Sequence, residues 1–544
     1  MMQSDIQQLA DTLKNISEDI AIYLATQQAK DGTFPARDFY GRSFAALLWS
    51  NYGDRFRTNI NRAVNTVNAE KKVRKGPGKY HFEFNRFALS KMGIKKEELN
   101  TILQGERYAG TRVANWILLR ACCRLTTGNV FSRIFGQFEL MAVILLFRSK
   151  DGLIEDEKGS FTSQYHMFCV ALLGEAEKHV WSIGRSAIRK TILEGADVIA
   201  QLTLPGGQCN YIGRGRLQSF GYAAAILALV HAFRISGDRK YLYLMANIAN
   251  YLLVHQKENG SIPLVLSELG REEGRPDEVD QTSPHFAGWY TYNNYFDYLP
   301  FTGALLELAR DGLQSAQHKT RIASGNKVAD KEFSEVQVSS LGPDIIIITT
   351  ELYTAVVSTP NQIWASSQPM PYLATKNSYP LPCYGGEQDG NGLYSVADLP
   401  LPCFRARGAD NVETEYNCDP ASYHWKDSNT MLGRWQHGGH QRTFAWREAS
   451  YEVTDLVTFE DKKSASPSVQ CTIIRLPLPE QIVTELSGSL LVVPLLKMTA
   501  EHDWEKMNQQ VYGPDGPMQI YGNTVTLPKG GEISAKHVVH VSRI

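Results

Sequence analysis

The chain has no excess of charge of either sign: 56 basic residues stand against 57 acidic ones, a net charge of -1 over 544 residues. That excludes the basic surplus of a nucleic-acid binder and a long acidic tail, so a polyanionic ligand requires a local basic cleft. Cysteine is scarce, eight in all, with an adjacent pair at Cys122 and Cys123 and no CxxC spacing. Neither a zinc site nor a disulfide framework is indicated, and reduced thiols are expected. Long apolar runs are missing too, since MAVILLF before Arg148 falls far short of the ~20 residues that cross a bilayer. The first residues lack the basic start and apolar stretch of a signal peptide, so the chain is read as cytoplasmic. No metal set, cofactor, nucleic acid or membrane is expected, and the oligomeric state stays open.

What is present is repetition. Ile6, Leu9, Leu13, Ile16, Ile20 and Tyr23 recur at steps of three and four, predicting an amphipathic first helix. Four later stretches share a Gly-containing turn, a short irregular segment and a helix rich in small and aliphatic residues. They begin at Gln28, Ser149, Pro205 and Glu258, and their glycines at 152, 207 and 260 lie about 55 residues apart, the length of one helical hairpin with loops. The gap between Gly32 and Gly152 holds two more hairpins, near GPGKYHFEFNRFALSKM and TRVANWILLRACCRL. Five or six hairpins with apolar residues on more than one face bury most surface when stacked in a ring. Gln28-x-x-x-Gly32-x-Phe34 and Gln256-x-x-x-Gly260-x-Ile262 echo loop motifs of terpene-cyclase toroids, but the acidic motifs of that class are absent, which leaves turn geometry as the common cause.

After Ala309 a polar stretch resembling a linker gives way to β-branched runs such as PDIIIITTELYTAVVST, SLLVVPLLKM and HVVHVSRI. The predicted fold is α+β and multidomain: an incomplete (α/α) toroid over 1–310, a linker over 311–335 and an antiparallel β-sandwich over 336–544.

Polar and aromatic residues cluster at the loop-to-helix junctions that a ring gathers at one end. Asn115 and Trp116 open one helix; Gln164, Tyr165 and His166 open the next; Asn210, Arg214, Arg216, Gln218 and Tyr222 follow. The last repeat adds His285, Trp289, Tyr292 and Asn294 within an aromatic run that reaches Tyr298. Aromatic faces stack on pyranose rings while amides and guanidinium groups bind hydroxyls and carboxylates, so this lining suits sugars. Simpler roles stand beside that one: Asn115 as a helix cap, Tyr165 and His166 as packed residues, Arg214-Gly-Arg216 as a solvated turn.

Asn115-Trp116, followed by Gly159-Ser160-Phe161 and Tyr165-His166, resembles the toroidal polysaccharide lyases, a group that includes hyaluronate/chondroitin lyases, heparinase II/III-like enzymes and alginate lyases. The resemblance implies β-elimination on an acidic polysaccharide or oligosaccharide. The uronate carboxylate must be neutralised, a base removes the C5 proton and an acid protonates the departing glycosidic oxygen. It assigns the amide to Asn115, charge support to Arg214 or Arg216, and proton transfer to Tyr165 and His166, with the division between those two open. The chain departs from the pattern where the hyaluronate-lyase group has Tyr nine residues after its His, because that position is Glu175. A heparinase-like His from the β domain has counterparts in His424, His437 and His440, the last counted among the substrate-binding candidates, at a different spacing.

Two other functions compete. A toroidal glycoside hydrolase needs two carboxyl groups, for which Asp151, Glu155, Asp156, Glu157, Glu83 and Asp280 are available. A non-catalytic carbohydrate-binding or assembly protein would use the same lining without proton transfer.

Overall fold

A computed structural model describes residues 2–36, 38–73, 81–103, 108, 110–159, 161–213, 215–266, 295–317, 336–359, 372–374, 402–407, 413–417, 422–435, 438–459, 468–478, 480–493, 496–513, 516–528 and 531–542. The described N-terminal part is helical: α1 (Met2–Gln27), α2 (Gly41–Ser50), α3 (Arg57–Val73), α4 (Phe82–Lys91), α5 (Lys96–Ile102), α6 (Ala114–Thr127), α7 (Val130–Leu146), α8 (Ser163–Glu177), α9 (Ser182–Leu202), α10 (Ser219–Ser236), α11 (Lys240–His255) and α12 (Tyr295–Gln317). The last of these runs past the expected boundary at 310, and residues 318–335, which hold most of the expected linker, lie outside the described residues.

The even-numbered helices pack in succession, α2 on α4, α4 on α6, α6 on α8, α8 on α10 and α10 on α12. Because α12 also packs on α2, the chain of contacts returns to its start. The odd-numbered helices lie outside it, with α3, α7, α9 and α11 each against the inner helix of its own hairpin and α1 against α12. Sequence explains the division. All of α8 and most of α10 are buried, with small residues such as Ala223, Ala224, Ala225 and Gly221 admitting close neighbours, whereas α1 buries one face, along Ile6, Leu9, Leu13, Ile16, Ile20 and Leu24, and exposes the other.

The repeat glycines mark one turn used four times. In each, the residue three before the glycine donates its N–H to the residue after it and accepts the glycine's own N–H. At Leu204 these bonds are 2.8 Å to Gln208 O and 2.9 Å from Gly207 N, and Ala29, Ser149 and Lys257 make the same pair. All four glycines have φ between 84° and 91°, a left-handed conformation that other residues rarely adopt. The space is closed as well, since a Cβ on Gly207 would lie 2.3 Å from the carbonyl oxygen of Asn247 on α11.

The strands of the C-terminal part pair antiparallel among its described residues, with one 3-10 turn at Glu480–Ile482. Its strands are β1 (Gln337–Leu341), β2 (Ile345–Thr349), β3 (Thr354–Ser358), β4 (Tyr372–Ala374), β5 (Cys403–Arg407), β6 (Glu413–Asn417), β7 (His424–Asp427), β8 (Thr430–Trp435), β9 (Gly438–Arg447), β10 (Ser450–Phe459), β11 (Ser468–Leu478), β12 (Glu485–Ser487), β13 (Leu490–Val493), β14 (Leu496–Ala500), β15 (Trp504–Gly513), β16 (Gly516–Pro528) and β17 (Glu532–Val541). They form sheets in the orders β1-β2-β3-β4, β12-β13-β14-β17-β10-β9-β8-β7 and β15-β16-β11-β5-β6. Ile348, Val357, Val453, Val457, Cys471 and Ile474, drawn from all three, share one core. Strand β2 is apolar on both faces because its other face, with Ile345 and Ile347, packs on Leu153, Val198, Leu202 and Ile212 of the helical part.

Replacing Gly207 by Ala combines a left-handed backbone with a clash against backbone and should cost about 2–3 kcal/mol. The control is Gly206→Ala, whose added methyl meets open space and should stay within about 0.5 kcal/mol of the parent. Thermal unfolding followed by far-ultraviolet circular dichroism checks the pair: a lowered midpoint is expected for the first alone.

Candidate functional site

The N-terminal ends of five inner helices meet at a pocket of about 130 Å³ lined by Phe39, Tyr40, His81, Phe84, Asn115, Trp116, Tyr165, Asp297 and Tyr298. Tyr40 precedes α2, His81 precedes α4, Asn115 and Trp116 open α6, Tyr165 is in the first turn of α8, and Asp297 and Tyr298 are in that of α12. Asn115, Trp116 and Tyr165 thus converge. Helix dipoles at such ends direct partial positive charge toward the pocket, whose described lining holds one carboxyl group, Asp297, and no Lys or Arg.

Asn115 is not the cap of its helix. That position is Val113, which makes no side-chain capping bond. Its Nδ2 instead donates to Asp156 Oδ1 at 2.6 Å, and Asp156 also accepts the Ala114 N–H at its backbone oxygen. An aspartate accepts only, so it fixes the orientation of the amide. The amide keeps one N–H for a ligand, and its buried Oδ1 has no hydrogen-bond partner among the described residues. Tyr165 is buried, and its N–H donates to the Thr162 hydroxyl that caps α8.

His81 is the residue that sequence reasoning missed. Its backbone is left-handed, with φ of 50° and ψ of 47°, an unfavourable conformation for a residue with a side chain. Bonds from Phe84 N, Asn85 N and Asn85 Nδ2 to its carbonyl oxygen hold it there. Its ring lies 4.7 Å from that of Phe39 and 5.3 Å from that of Trp116, centroid to centroid. The available signal was a histidine set among Tyr80, Phe82 and Phe84 immediately before a helix.

Tyr40 and Tyr298 complete the wall, and Asp297 ties them together. Its Oδ1 accepts the N–H groups of Phe39, Tyr40 and Gly41 at 2.7, 2.8 and 2.9 Å. Burial first, then the Asp297 carboxylate, pushes the Tyr40 phenol far above its ordinary value. Burial and its tyrosine neighbours do the same for Tyr298. Both remain neutral hydroxyls at physiological pH.

Several expected site residues have other work. His166 is fully buried, its Nδ1 accepting from Ile154 N and its Nε2 donating to Gly195 O, each at 3.0 Å. No ring nitrogen is left for proton transfer, so its expected role as base gives way to a bracket between α8 and α9. Gln164, Asn210 and Gln218, expected on substrate, are buried and bonded to one another: Gln164 Nε2 donates to Gln218 Oε1 at 2.8 Å and Asn210 Nδ2 to Gln164 Oε1 at 3.2 Å. They join two hairpin loops behind the pocket. Tyr222 is buried and stacked on Tyr251. Arg216 is buried in its turn and does not line the pocket. His440 lies in the β core between the Tyr423 hydroxyl and Asp455, both at 2.7 Å, while His424 is exposed on β7. Arg214, His285, Trp289, Tyr292, Asn294 and His437 lie outside the described residues. Glu175 is buried at the far end of α8, paired with Lys91, Lys178 and His231. Burial alone would raise its carboxyl, but these partners hold it well below the usual range.

The rival carboxylates do not gather in the pocket. Asp156 is engaged with Asn115, Glu83 is buried 3.8 Å from Arg120, Glu155 accepts from Gly159 N, and Asp151 and Glu157 are not among the lining residues; Asp280 lies outside the described residues. Among the described residues no group of His, Cys, Asp and Glu could hold a metal ion.

No family model and no curated protein matches the chain. Solved structures do, polysaccharide lyases among them. A chondroitin AC lyase from Streptomyces coelicolor A3, in complex with chondroitin sulphate, is 11% identical, with 99% of this chain and 80% of that one covered and a TM-score of 0.48. A heparan sulfate lyase from Pedobacter heparinus is also 11% identical, covering 96% of this chain and 82% of its own, with a TM-score of 0.30. A family 88 glycosyl hydrolase from Bacteroides vulgatus is 14% identical over 57% of this chain and 99% of its own, at a TM-score of 0.38.

The bracket at His166 has a pH signature. Burial lowers its pKa to about 4, so the folded protein holds it neutral while the unfolded chain binds a proton below about 6.5. Its stabilisation is complete above that value and is lost as pH falls toward 4, on the order of 3 kcal/mol. Urea midpoints between pH 7 and pH 4 should therefore fall less steeply for His166→Asn than for the parent. Parallel curves would show that the ring is not held neutral.

Proposed function

We propose that the chain is a carbohydrate-active lyase that cleaves a uronic-acid-containing polysaccharide or oligosaccharide by β-elimination. The observation that carries this reading is the meeting of Asn115, Tyr165 and His81 in one aromatic pocket whose described lining contains a single carboxyl group, Asp297. Hydrolysis with two carboxyl groups across the bond has no second member there. Asp297 already spends one oxygen on three backbone N–H groups.

Each residue then has a task suited to its chemistry. Trp116 and Phe39, both only partly buried, offer ring faces to a sugar. The free N–H of Asn115 and the gathered helix ends bear on the uronate carboxylate and lower the cost of the carbanion-like state. His81 replaces His166 as the candidate base, because an imidazole is the side chain in the pocket that exchanges a proton near neutral pH. Tyr165 supplies from its phenol the proton that the departing glycosidic oxygen requires. Tyr40 and Tyr298 orient hydroxyls as further neutral donors.

Activity on uronate polymers should appear as new ultraviolet absorbance from the conjugated double bond. Tyr165→Phe should lower turnover by about 10²–10⁴-fold and Asn115→Ala by about 10²-fold. His81→Asn keeps a residue tolerant of the left-handed backbone and should lower turnover by about 10²–10⁴-fold. Cleavage without new absorbance, or near-normal elimination by Tyr165→Phe, sinks the reading.

A further inference from the structure

We propose that α7 is the contact face of a homodimer in which two copies of this helix pack antiparallel about a twofold axis near Phe138. Helix α7 is apolar on two opposite sides. Gly136, Leu140, Val143 and Ile144 are buried, with Gly136 held close against Ala121 and Arg124 of α6. The opposite side carries Phe131, Phe138 and Leu145, which are 74%, 68% and 74% exposed, together with Phe135 at 59%. These side chains form one stripe, since steps of four and three residues return to the same helix face.

The loop between α8 and α9 widens this surface. Gln137 receives the Trp181 N–H at its Oε1 and donates its Nε2 to Ile183 O, which fixes exposed Trp181 and Ile183 alongside the stripe. At about 150–250 Å² per aromatic side chain, the exposed parts of Phe131, Phe135, Phe138 and Trp181 come to roughly 500 Å². The exposed aliphatic residues bring the patch to the scale of about 800 Å² per partner that stable dimers use, beyond the largest apolar patch typical of a monomer.

A second copy fits because the stripe complements itself. Phe131 and Leu145 each lie seven residues from Phe138, so an antiparallel twofold pairing sets Phe138 near its own mate and Phe131 against Leu145. Phe135 then meets Met141. A closed interface of this kind presents the same patch from both sides. An anionic membrane is a poorer match, because interfacial helices flank their apolar face with several cations. Here Arg133 donates to the His179 carbonyl, and the acidic Glu139 is paired with Arg120 and Arg124.

Sedimentation of the full chain at micromolar concentration should give twice its 60.9 kDa. Phe138→Asp places two like charges near the axis and should return the monomer mass, with helical content and cooperative unfolding retained. In a separate variant, Phe138→Cys should form a covalent dimer under mild oxidation beyond any background in the parent. The described cysteines of the parent are all buried. A monomeric parent, a Phe138→Asp protein that stays dimeric, or a dimeric Phe138→Cys protein that does not cross-link overturns the proposal. So does a monomer that instead sediments with phosphatidylcholine/phosphatidylserine vesicles.

Discussion

One carboxylate oxygen joins the last helix of the ring to the first. The leading N–H groups of an α-helix have no partners within it, and at α2 they point into a buried corner where water cannot serve them. Oδ1 of Asp297 accepts the N–H of Gly41, the first residue of α2, and those of Tyr40 and Phe39 just before it, charge-assisted bonds that each outweigh a neutral one. This brings α12 so close to α2 that the backbone of Phe296 occupies the space where any side chain at position 41 would begin. It also sets Tyr40 and Tyr298 side by side as neutral phenols. The pocket wall and the closure of the ring depend on the same bond.

The remaining geometry follows from the starting points of the inner helices. Each begins at the same end of the ring, so five short junctions supply the pocket while the helix bodies fill the core. Consecutive residues on a helix point about 100° apart, and α8 shows the consequence. Gln164 turns to the loop of the next hairpin, Tyr165 to the pocket and His166 outward to α9. Three neighbouring polar residues thus serve as loop tie, candidate proton donor and structural bracket. The buried amides of Gln164, Asn210 and Gln218 tie the start of α8 to the loop that precedes α10.

Local rules made part of this protein legible from its sequence alone. The four-fold turn was readable because only glycine tolerates its conformation, and the change from helix to strand was readable from β-branched density. Asn115, Trp116 and Tyr165 were recoverable as a group because each sits where a turn enters an inner helix. Tertiary structure decided the rest. A helix's rotation about its axis is set by packing on its neighbours, so no pattern in Gln164-Tyr165-His166 could tell which of the three faces the pocket. Nor could the sequence show that His81, some 84 residues before Tyr165, shares its pocket, since proximity there comes from stacking hairpins and not from chain distance. Burial separated the functional candidates from their look-alikes: a buried polar group must find partners within the protein, and the partners available to His166, Asn210 and His440 are set by where the chain folds back.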